Sequence, residues 1–112
     1  MSLPHAIHIT RIVTPTDFSE SSEKAVNYAA TLAEKFGAKV TLIYVDDLNY
    51  SEIGMFGIVD ADRLRVETKA RASDKLEQLS ATMLPESVRG ETLVRDGKPG
   101  EEVVATAQEL QA

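Results

Sequence analysis

Short apolar runs alternate along the chain with longer segments in which apolar residues recur every three or four positions. The runs predict β-strands, and the recurrence predicts amphipathic helices. The predicted strands cover residues 7–13, 39–45 and 88–95, and the predicted helices cover residues 21–36, 61–83 and 101–110. Strands and helices therefore alternate, which is typical of an α/β fold in which right-handed crossovers connect parallel strands.

Proline, serine and glycine residues set the limits of these elements. Pro15 ends the first strand because proline has no N–H to donate to a sheet. Ser19 or Ser21 is placed to cap the first helix, and Gly37 ends it. Pro85 ends the second helix, since proline cannot continue the hydrogen-bond pattern of a helix.

The apolar faces of the elements indicate how the layers pack. Strand 39–45 is nearly continuous in apolar residues, as expected for a strand covered on both faces, whereas the more polar strand 88–95 suits a sheet edge. The stripe of the first helix consists of Ala25, Ala29, Leu32, Ala33 and Phe36. The stripe of the second consists of Ala61, Leu64, Thr68, Ala72, Leu76, Leu79 and Met83. We expect both stripes to cover the sheet.

Residues 46–60 form a long connection with no clear period. Connections of this length usually serve as lids or binding loops, and Gly54 and Gly57 add conformational freedom. We therefore expect a mobile loop. Its apolar residues, which either serve an interface or fold over the core, are Ile53, Met55, Phe56, Ile58 and Val59.

Composition narrows the class of protein and its partners. The 112 residues suffice for one domain, and 43% apolar with 27% charged residues is ordinary for a globular chain. A net charge of -6 repels phosphate backbones, so we expect no nucleic-acid partner. The absence of cysteine excludes disulfides and thiolate metal sites.

No apolar run approaches the ~20 residues that span a bilayer, so we expect no membrane insertion and take the cytoplasm as the default compartment.

The loop after the first strand is the leading candidate for a binding site. In open parallel sheets, ligands bind beyond the carboxyl ends of the strands. Asp17 is placed there to accept hydrogen bonds from ribose hydroxyls, while Pro15 and Thr16 line a base. Spacing alone favours a structural alternative, in which Pro15 ends the strand and Asp17 or Ser19 caps the helix.

Two pairs of potential metal ligands have structural alternatives. His5 and His8 lie near the start of a strand, where alternation directs them to opposite faces, so joint metal binding is disfavoured. Asp46 and Asp47 could coordinate a cation delivered with nucleotide phosphates. The favoured interpretation of this pair is that both are solvated residues after a strand.

Two glycine-containing segments resemble the sequence motifs of phosphate-binding loops. Gly97-Lys98 resembles the end of a P-loop, but Pro99 stands where a magnesium-binding Ser or Thr is needed, so we interpret residues 95–100 as a turn. Residues 54–57 match Gly-x-x-Gly without the strand and helix that a phosphate loop requires. No placed set of Ser, His and Asp for acyl transfer is visible, so we expect no hydrolase activity.

Three segments in series resemble the universal stress proteins. Residues 12–22 read IVTPTDFSESS and resemble the opening of that family. Residues 37–45 read GAKVTLIYV and resemble its second strand, and residues 97–103 read GKPGEEV and resemble the turn into its third helix. The resemblance implies one domain over residues 1–112 with a three-layer α/β/α, Rossmann-like architecture of the adenine nucleotide alpha hydrolase type. It also implies a strand order of 3-2-1, which strands four and five would extend.

The resemblance further implies a nucleotide site. In nucleotide-binding members the first-strand loop holds adenine and ribose, which maps the contacts onto Pro15, Thr16 and Asp17, with Val45 beside the base. The family's phosphate site, Gly-x-x-Gly with a later Gly-Ser or Gly-Thr, follows a fourth strand that this sequence lacks. Because backbone amides of such a loop neutralise the triphosphate, we expect these residues alone to bind ATP, with or without Mg²⁺, weakly or not at all.

The function that the resemblance implies is regulatory binding of adenine nucleotide in a stress response, by a cytoplasmic homodimer rather than an enzyme. The alternative is a homo-oligomeric interaction module of the same fold that binds no nucleotide. A phosphoacceptor receiver would need an acidic pair after the first strand, where only Asp17 is suitably placed. Without a fourth strand beside it, the first strand would also present an edge for self-association.

Overall fold

Three parallel strands form one sheet at the centre of the structure, a computed structural model that describes residues 9–57 and 59–111. The strands are β1 (Arg11–Pro15), β2 (Lys39–Asp46) and β3 (Arg89–Asp96). The helices of these residues are α1 (Glu20–Phe36), α2 (Tyr50–Met55), α3 (Ala61–Met83) and α4 (Pro99–Glu109), with a 3₁₀ turn at Glu86–Val88. The predicted α/β class is confirmed.

Helices lie on both faces of the sheet, whose strand order is β1-β2-β3. The crossovers that contain α1 and α3 run in the same direction across the sheet, so right-handed connections put both helices on one face, where they contact each other. Val40 and Leu42 of β2 join Leu76 of α3 in the core beneath these helices. Ile43 points to the opposite face, where α4 packs on β1 and β2. The three-layer α/β/α architecture and the expected strand order are confirmed.

The positions of β2 and β3 within the sheet agree with their composition. Val40, Leu42 and Ile43 of β2 have no exposed surface, because this strand is central and covered on both faces. β3 lies at an edge, and the residues along it are half-buried or exposed. Both outcomes were expected from the apolar run in one strand and the mixed pattern in the other.

The face that α1 turns to the sheet agrees with the predicted stripe at Ala29 and Ala33 but not at the two ends of the stripe. Ala25 and Phe36 belong to that stripe but are exposed. Apolar residues occupy several faces of this alanine-rich helix, so periodicity alone did not identify the buried one. The residues that the helix buries are Val26, Ala29, Ala30 and Ala33.

The longest helix, α3, buries the stripe that the sequence predicts for it. Ala72 and Leu76 are buried, together with Ser80, which the stripe did not include. The other predicted positions, all half-buried, are Ala61, Leu64, Thr68, Leu79 and Met83. Neither α3 nor any other helix in the described part of the chain is long and apolar enough to cross a membrane.

A short helix, α2, interrupts the connection for which the sequence predicts a loop. The Asn49 side chain caps this helix by accepting a hydrogen bond from the Glu52 N–H at 3.0 Å. Tyr50 is buried, and its hydroxyl donates a hydrogen bond to Asp46. Six residues are too few for a periodic signal, and the contact that anchors them is tertiary. Sequence pattern alone therefore missed this element.

Two elements begin or end at positions that proline explains. β1 starts at Arg11 and includes Pro15, whereas residues 7 and 8 of the predicted strand lie outside the described residues. The Thr16 N–H donates to the Ile43 carbonyl at 2.9 Å, so the nitrogen of Pro15 faces the side of β1 that has no neighbouring strand within the described residues. The absence of an N–H on Pro15 therefore costs no hydrogen bond to a neighbouring strand among these residues. α4 begins at Pro99, two residues earlier than predicted, because proline suits the first position of a helix.

Glycine allows a close approach between β3 and β2. The register of the two strands shifts between Val40 and Leu42. A Cβ atom on Gly90 would lie 2.7 Å from the Val40 carbonyl oxygen, far inside normal contact distance. The pairing of these strands therefore depends on the absence of a side chain at Gly90.

Candidate functional site

One open pocket at the carboxyl ends of β1 and β2 brings together all four residues that the sequence places around a nucleotide. Pro15, Thr16, Asp17 and Val45 line it, and its volume is about 400 Å³. The remaining lining residues are Ser19, Ser21, Ser22, Ile43, Tyr44 and Pro99. Two strand ends and the first turns of α1 and α4 thus enclose the site.

Pro15 and Val45 form an apolar wall of the pocket. Pro15 is the register partner of Ile43, and strand alternation puts Val45, two residues further along β2, on the same face as Ile43. Pro99 at the start of α4 also lines the pocket. An apolar or aromatic ligand would find its contacts on this wall.

Hydrogen bonds fix Thr16 at the base of the loop. Its hydroxyl accepts from the Phe18 N–H at 3.0 Å and lies 2.9 Å from the Ser22 hydroxyl. The Ser22 hydroxyl donates its single hydrogen to the Ser19 carbonyl at 2.8 Å. Thr16 must therefore donate to Ser22. This half-buried network ties the end of β1 to the first turn of α1.

Asp17 is exposed at the rim of the pocket, and Ser19 orients its carboxylate. The Ser19 N–H donates to Asp17 Oδ1 at 2.9 Å. Hydrogen bonds from the Ser19 hydroxyl and the Ser19 N–H lower the pKa of Asp17 below its usual value. An ionised, oriented carboxylate is a suitable acceptor for the two hydroxyls of a ribose.

The loop also has part of the structural role that was predicted as the alternative to ligand binding, namely capping of α1. Ser19 is the N-cap of α1, since its side chain accepts a hydrogen bond from the Ser22 N–H at 3.2 Å. Asp17 forms the turn before the cap and does not cap the helix itself. One loop thus both starts the helix and lines the pocket. Contact of its residues with a nucleotide stays a prediction.

Ser22 and Pro99 are two of the six lining residues that sequence reasoning did not assign to the site. Ser22 lies three positions after the capping Ser19 and reaches back to Thr16, a contact that helical spacing could have indicated. Pro99 follows the turn at the end of β3, as residues 95–100 lead from strand to helix. The rule that ligands bind beyond strand ends, applied to this third strand, would have found it.

Phe18 lies on the α3 side of the loop and not in the pocket. Its backbone φ of 66° is left-handed, which is uncommon for a residue other than glycine. Its ring stacks on Tyr44, with ring centroids 5.2 Å apart, and Lys75 Nζ lies 5.3 Å from the Phe18 centroid. These packing contacts hold the unusual backbone of the residue next to Asp17.

Asp46 has a structural role at the end of β2. Its buried carboxylate accepts hydrogen bonds from the Leu48 N–H at 3.1 Å and from the Tyr50 hydroxyl, and its carbonyl accepts from the Gly97 N–H at 3.0 Å. The solvated interpretation is wrong for Asp46, while Asp47 is exposed. Across residues 9–57 and 59–111, no group of three acidic or histidine side chains is arranged to hold a metal ion.

Of the other sequence candidates, His5, His8 and Ile58 fall outside the described residues. Met55 and Phe56, at the end of α2, are 84% and 72% exposed. These two side chains therefore do not fold over the core. The other role predicted for the apolar residues of this connection, an interface, remains for them.

Three solved structures share the fold. The hypothetical protein MJ0577 is 24% identical, with a TM-score of 0.75, over 95% of this chain and 72% of that one. A universal stress protein family member from Burkholderia pseudomallei is 21% identical, with a TM-score of 0.76, over 97% and 80% of the two chains. A universal stress protein in complex with cAMP is 20% identical, with a TM-score of 0.54, over 94% and 68%. At these identities the likeness shows the fold alone.

Family membership rests on the sequence as a whole. Comparison with curated protein sequences gave no match. The model of the universal stress protein family matches residues 8–112, and so includes the three segments whose resemblance was noted above. The chain therefore belongs to the universal stress protein family.

Proposed function

We propose that this chain binds an adenine nucleotide, ATP, in the pocket at the ends of β1 and β2, and that binding serves regulation in a stress response. The observation that carries the proposal is the convergence of Pro15, Thr16, Asp17 and Val45 on one pocket of about 400 Å³. Small-molecule sites typically measure ~300–1,000 Å³. The universal stress protein in complex with cAMP supports an adenine nucleotide as the class of ligand.

Each part of the pocket suits one part of a nucleoside. The apolar wall of Pro15 and Val45 offers van der Waals contact to the faces of a base. The ionised Asp17 offers acceptor oxygens to ribose hydroxyls. Thr16 contributes through its backbone and through the hydrogen bonds that hold the loop in place.

The phosphates would be held less well than the nucleoside. Ser21 offers a hydroxyl, but the Ser22 hydroxyl already donates to the Ser19 carbonyl and the Ser19 hydroxyl to Asp17. No Lys or Arg is among the residues that line the described pocket. Little positive charge therefore compensates the triphosphate. We expect adenosine, AMP and ATP to bind these residues with affinities within about tenfold of one another, with little effect of Mg²⁺.

A regulatory role fits the ionisable groups of the pocket better than catalysis. Asp17 is its one carboxylate, and the pKa of this group is lowered. A general acid or base that works near neutral pH needs a pKa shifted upward instead. We therefore expect any hydrolysis of ATP to be slow and incidental.

An interaction module that binds no nucleotide is the second candidate. Two observations favour it: β1 has a strand on one side only among the described residues, and Met55 and Phe56 are largely exposed. Homodimerisation belongs equally to both candidates, as does a cytoplasmic location. The two candidates differ in whether the pocket takes up nucleotide.

Isothermal titration calorimetry with adenosine, AMP, ATP and cAMP, each with and without Mg²⁺, tests the proposal. We expect saturable binding of the adenine compounds, because the apolar wall of Pro15 and Val45 can contact the face of the base. The absence of heat with every adenine compound would overturn the proposal and favour the interaction module.

Two matched variants localise the site. Asp17→Asn removes the charge offered to ribose and should weaken binding of AMP about tenfold, since hydrogen bonds to charged groups contribute about 1.5–3 kcal/mol. Asp74→Asn removes the same charge from an exposed position in the middle of α3 and should leave affinity unchanged. Equal losses in both variants would attribute the effect to net charge and would contradict the assignment of Asp17.

A further inference from the structure

A second, smaller cleft lies on the α3 side of the same sheet edge. Its volume is about 160 Å³. Two aromatic residues, two cationic residues, one hydroxyl and one methyl group surround it, namely Phe18, Tyr44, Arg71, Lys75, Thr68 and Ala72. None of the four residues assigned to the nucleotide lines this cleft, although Tyr44 lines both the cleft and the larger pocket.

The two cations of the cleft lack ionic partners. Arg71 and Lys75 are one helical turn apart on α3, a spacing at which like charges repel each other. The salt bridges among residues 9–57 and 59–111 are Arg11–Glu91, Arg63–Glu67 and Arg95–Glu109, so neither cation takes part in one. In a chain with a net charge of -6, two such cations at one cleft are notable.

We propose that Arg71 and Lys75 bind a phosphate-sized anion in this cleft. The guanidinium offers two parallel N–H donors to an oxyanion, and the ammonium adds a point charge. About 160 Å³ is well below the ~300 Å³ of a typical small-molecule site, so a whole nucleotide does not fit. The stacked rings of Phe18 and Tyr44 exclude water from one side of the anion.

Nearby carboxylates limit the affinity but do not occupy the cleft. Burial, followed by the charges of Asp46, Asp47 and Asp17, raises the pKa of Tyr44. Glu23 of α1 lines an adjoining hollow of about 420 Å³. None of these four carboxylates lines the cleft itself. We therefore expect weak, salt-sensitive binding that favours an anion with two negative charges over one with a single charge.

The test is a titration of the 112-residue chain with inorganic phosphate, monitored by the amide chemical shifts of Thr68, Arg71 and Lys75. Acetate and chloride at the same low ionic strength are the comparison anions. We expect saturable shifts with phosphate, weaker saturable shifts with acetate, and with chloride only the drift that ionic strength causes. Arg71→Gln and Lys75→Gln should each weaken phosphate binding about tenfold.

Lys69→Gln is the matched control, because it removes one positive charge from an exposed position of the same helix outside the cleft. It should change the phosphate Kd by less than about twofold. Equal losses in Lys69→Gln and Arg71→Gln would show general screening and overturn the proposal. Shifts confined to Thr16 and Asp17 would put the anion in the other pocket and would overturn it too, as would tighter binding of acetate.

This inference stands apart from the proposed nucleotide function. Arg71→Gln should bind AMP as the unmodified chain does, since Arg71 does not line the larger pocket. Asp17→Asn should retain phosphate binding in the cleft. Circular dichroism confirms that each variant is folded, which is expected because Arg71 and Lys75 are exposed. Loss of phosphate binding in Asp17→Asn but not in Arg71→Gln would contradict the assignment of the cleft.

Discussion

The hydroxyl of Thr16 donates a hydrogen bond of 2.9 Å to the hydroxyl of Ser22, and this contact joins the end of β1 to the first turn of α1. Thr16→Val preserves the shape of the side chain but leaves the Phe18 N–H without its acceptor. We expect the free energy of unfolding to fall by about 1–3 kcal/mol, because Thr16 is buried and the lost bonds are not replaced by water. Urea denaturation followed by circular dichroism measures this change.

Thr31→Val is the control for that substitution. The Thr31 hydroxyl donates to the Asn27 carbonyl within α1 at 3.1 Å and is exposed, so water can replace the lost bond. Its effect should stay within about 0.5 kcal/mol. If both variants lose the same stability, the network at Thr16 has no special role in holding the loop.

The lowered pKa of Asp17 predicts a small dependence of stability on pH. Hydrogen bonds from Ser19 favour the ionised carboxylate in the folded state, so its folded pKa is below the unfolded one. The resulting stabilisation is present above the unfolded pKa of about 3.9 and is lost as the pH falls through the folded value.

Thermal unfolding of the unmodified chain and of Asp17→Asn, measured from neutral to acidic pH, tests this dependence. The difference between their melting temperatures should be greatest above about pH 4 and should shrink below it. Asp17 is exposed, so the difference should be small and reduced by salt. A difference that grows toward acidic pH would contradict the assigned direction.

The packing of β3 against β2 predicts a large effect of one methyl group. Gly90→Ala would put a Cβ atom 2.7 Å from the Val40 carbonyl oxygen, which backbone atoms can relieve only by moving the strands apart. We expect a loss of about 1–3 kcal/mol in the free energy of unfolding, measured by urea denaturation.

Gly100→Ala provides the contrast, since nothing lies within 4 Å of the added Cβ atom in the first turn of α4. It should leave stability unchanged or raise it by up to about 1 kcal/mol, because alanine restricts the unfolded chain more than glycine does. Similar losses in the two variants would mean that the strands at Gly90 are not in close contact.

Tyr50 predicts a loss of stability in alkaline solution. Burial, and then the hydrogen bond to Asp46, raise the pKa of Tyr50 above its usual value. A raised folded pKa means that the contribution of the neutral phenol is complete below the unfolded pKa of about 10 and is lost as the pH rises through the folded one. Unfolding measured across this range should show a steeper decline for the unmodified chain than for Tyr50→Phe.

At neutral pH, Tyr50→Phe should itself cost about 1–3 kcal/mol, because the buried Asp46 carboxylate loses a donor. Tyr28→Phe is the matched substitution at a side chain that is 68% exposed, and it should have little effect. An absorbance titration of tyrosine ionisation, compared between the unmodified chain and Tyr50→Phe, isolates the contribution of Tyr50. Ionisation of Tyr50 at or below the usual tyrosine pKa of about 10 would contradict the burial of its hydroxyl.

Local chemistry made the pocket easier to predict than the packing of the helices. Pro15, Thr16 and Asp17 are consecutive, and the rule for strand ends places them at the binding edge without knowledge of distant contacts. The register of β1 and β2 then brings Val45 to the same place. Resemblance to a family identified these residues, and strand pairing explains why they converge.

Contacts between distant residues account for what the sequence did not reveal. α2 depends on the bond between Tyr50 and Asp46, and its few residues carry no periodic pattern. The buried face of α1 depends on which of several apolar stripes meets β1 and α3, and Ala25 was placed on the wrong one. Both features are decided by tertiary packing, which overrides weak local preferences.

Phe18 has a consequence for how this sequence can change. Its N–H is held by Thr16 beside one hollow, while its ring forms part of the other on the stack with Tyr44. A replacement without a ring would free a left-handed backbone that most side chains disfavour, and the neighbouring carboxylate of Asp17 would lose its orientation with it. A substitution at position 18 therefore affects the hollows on both faces of the sheet at once. Neither hollow can be altered at this position independently of the other.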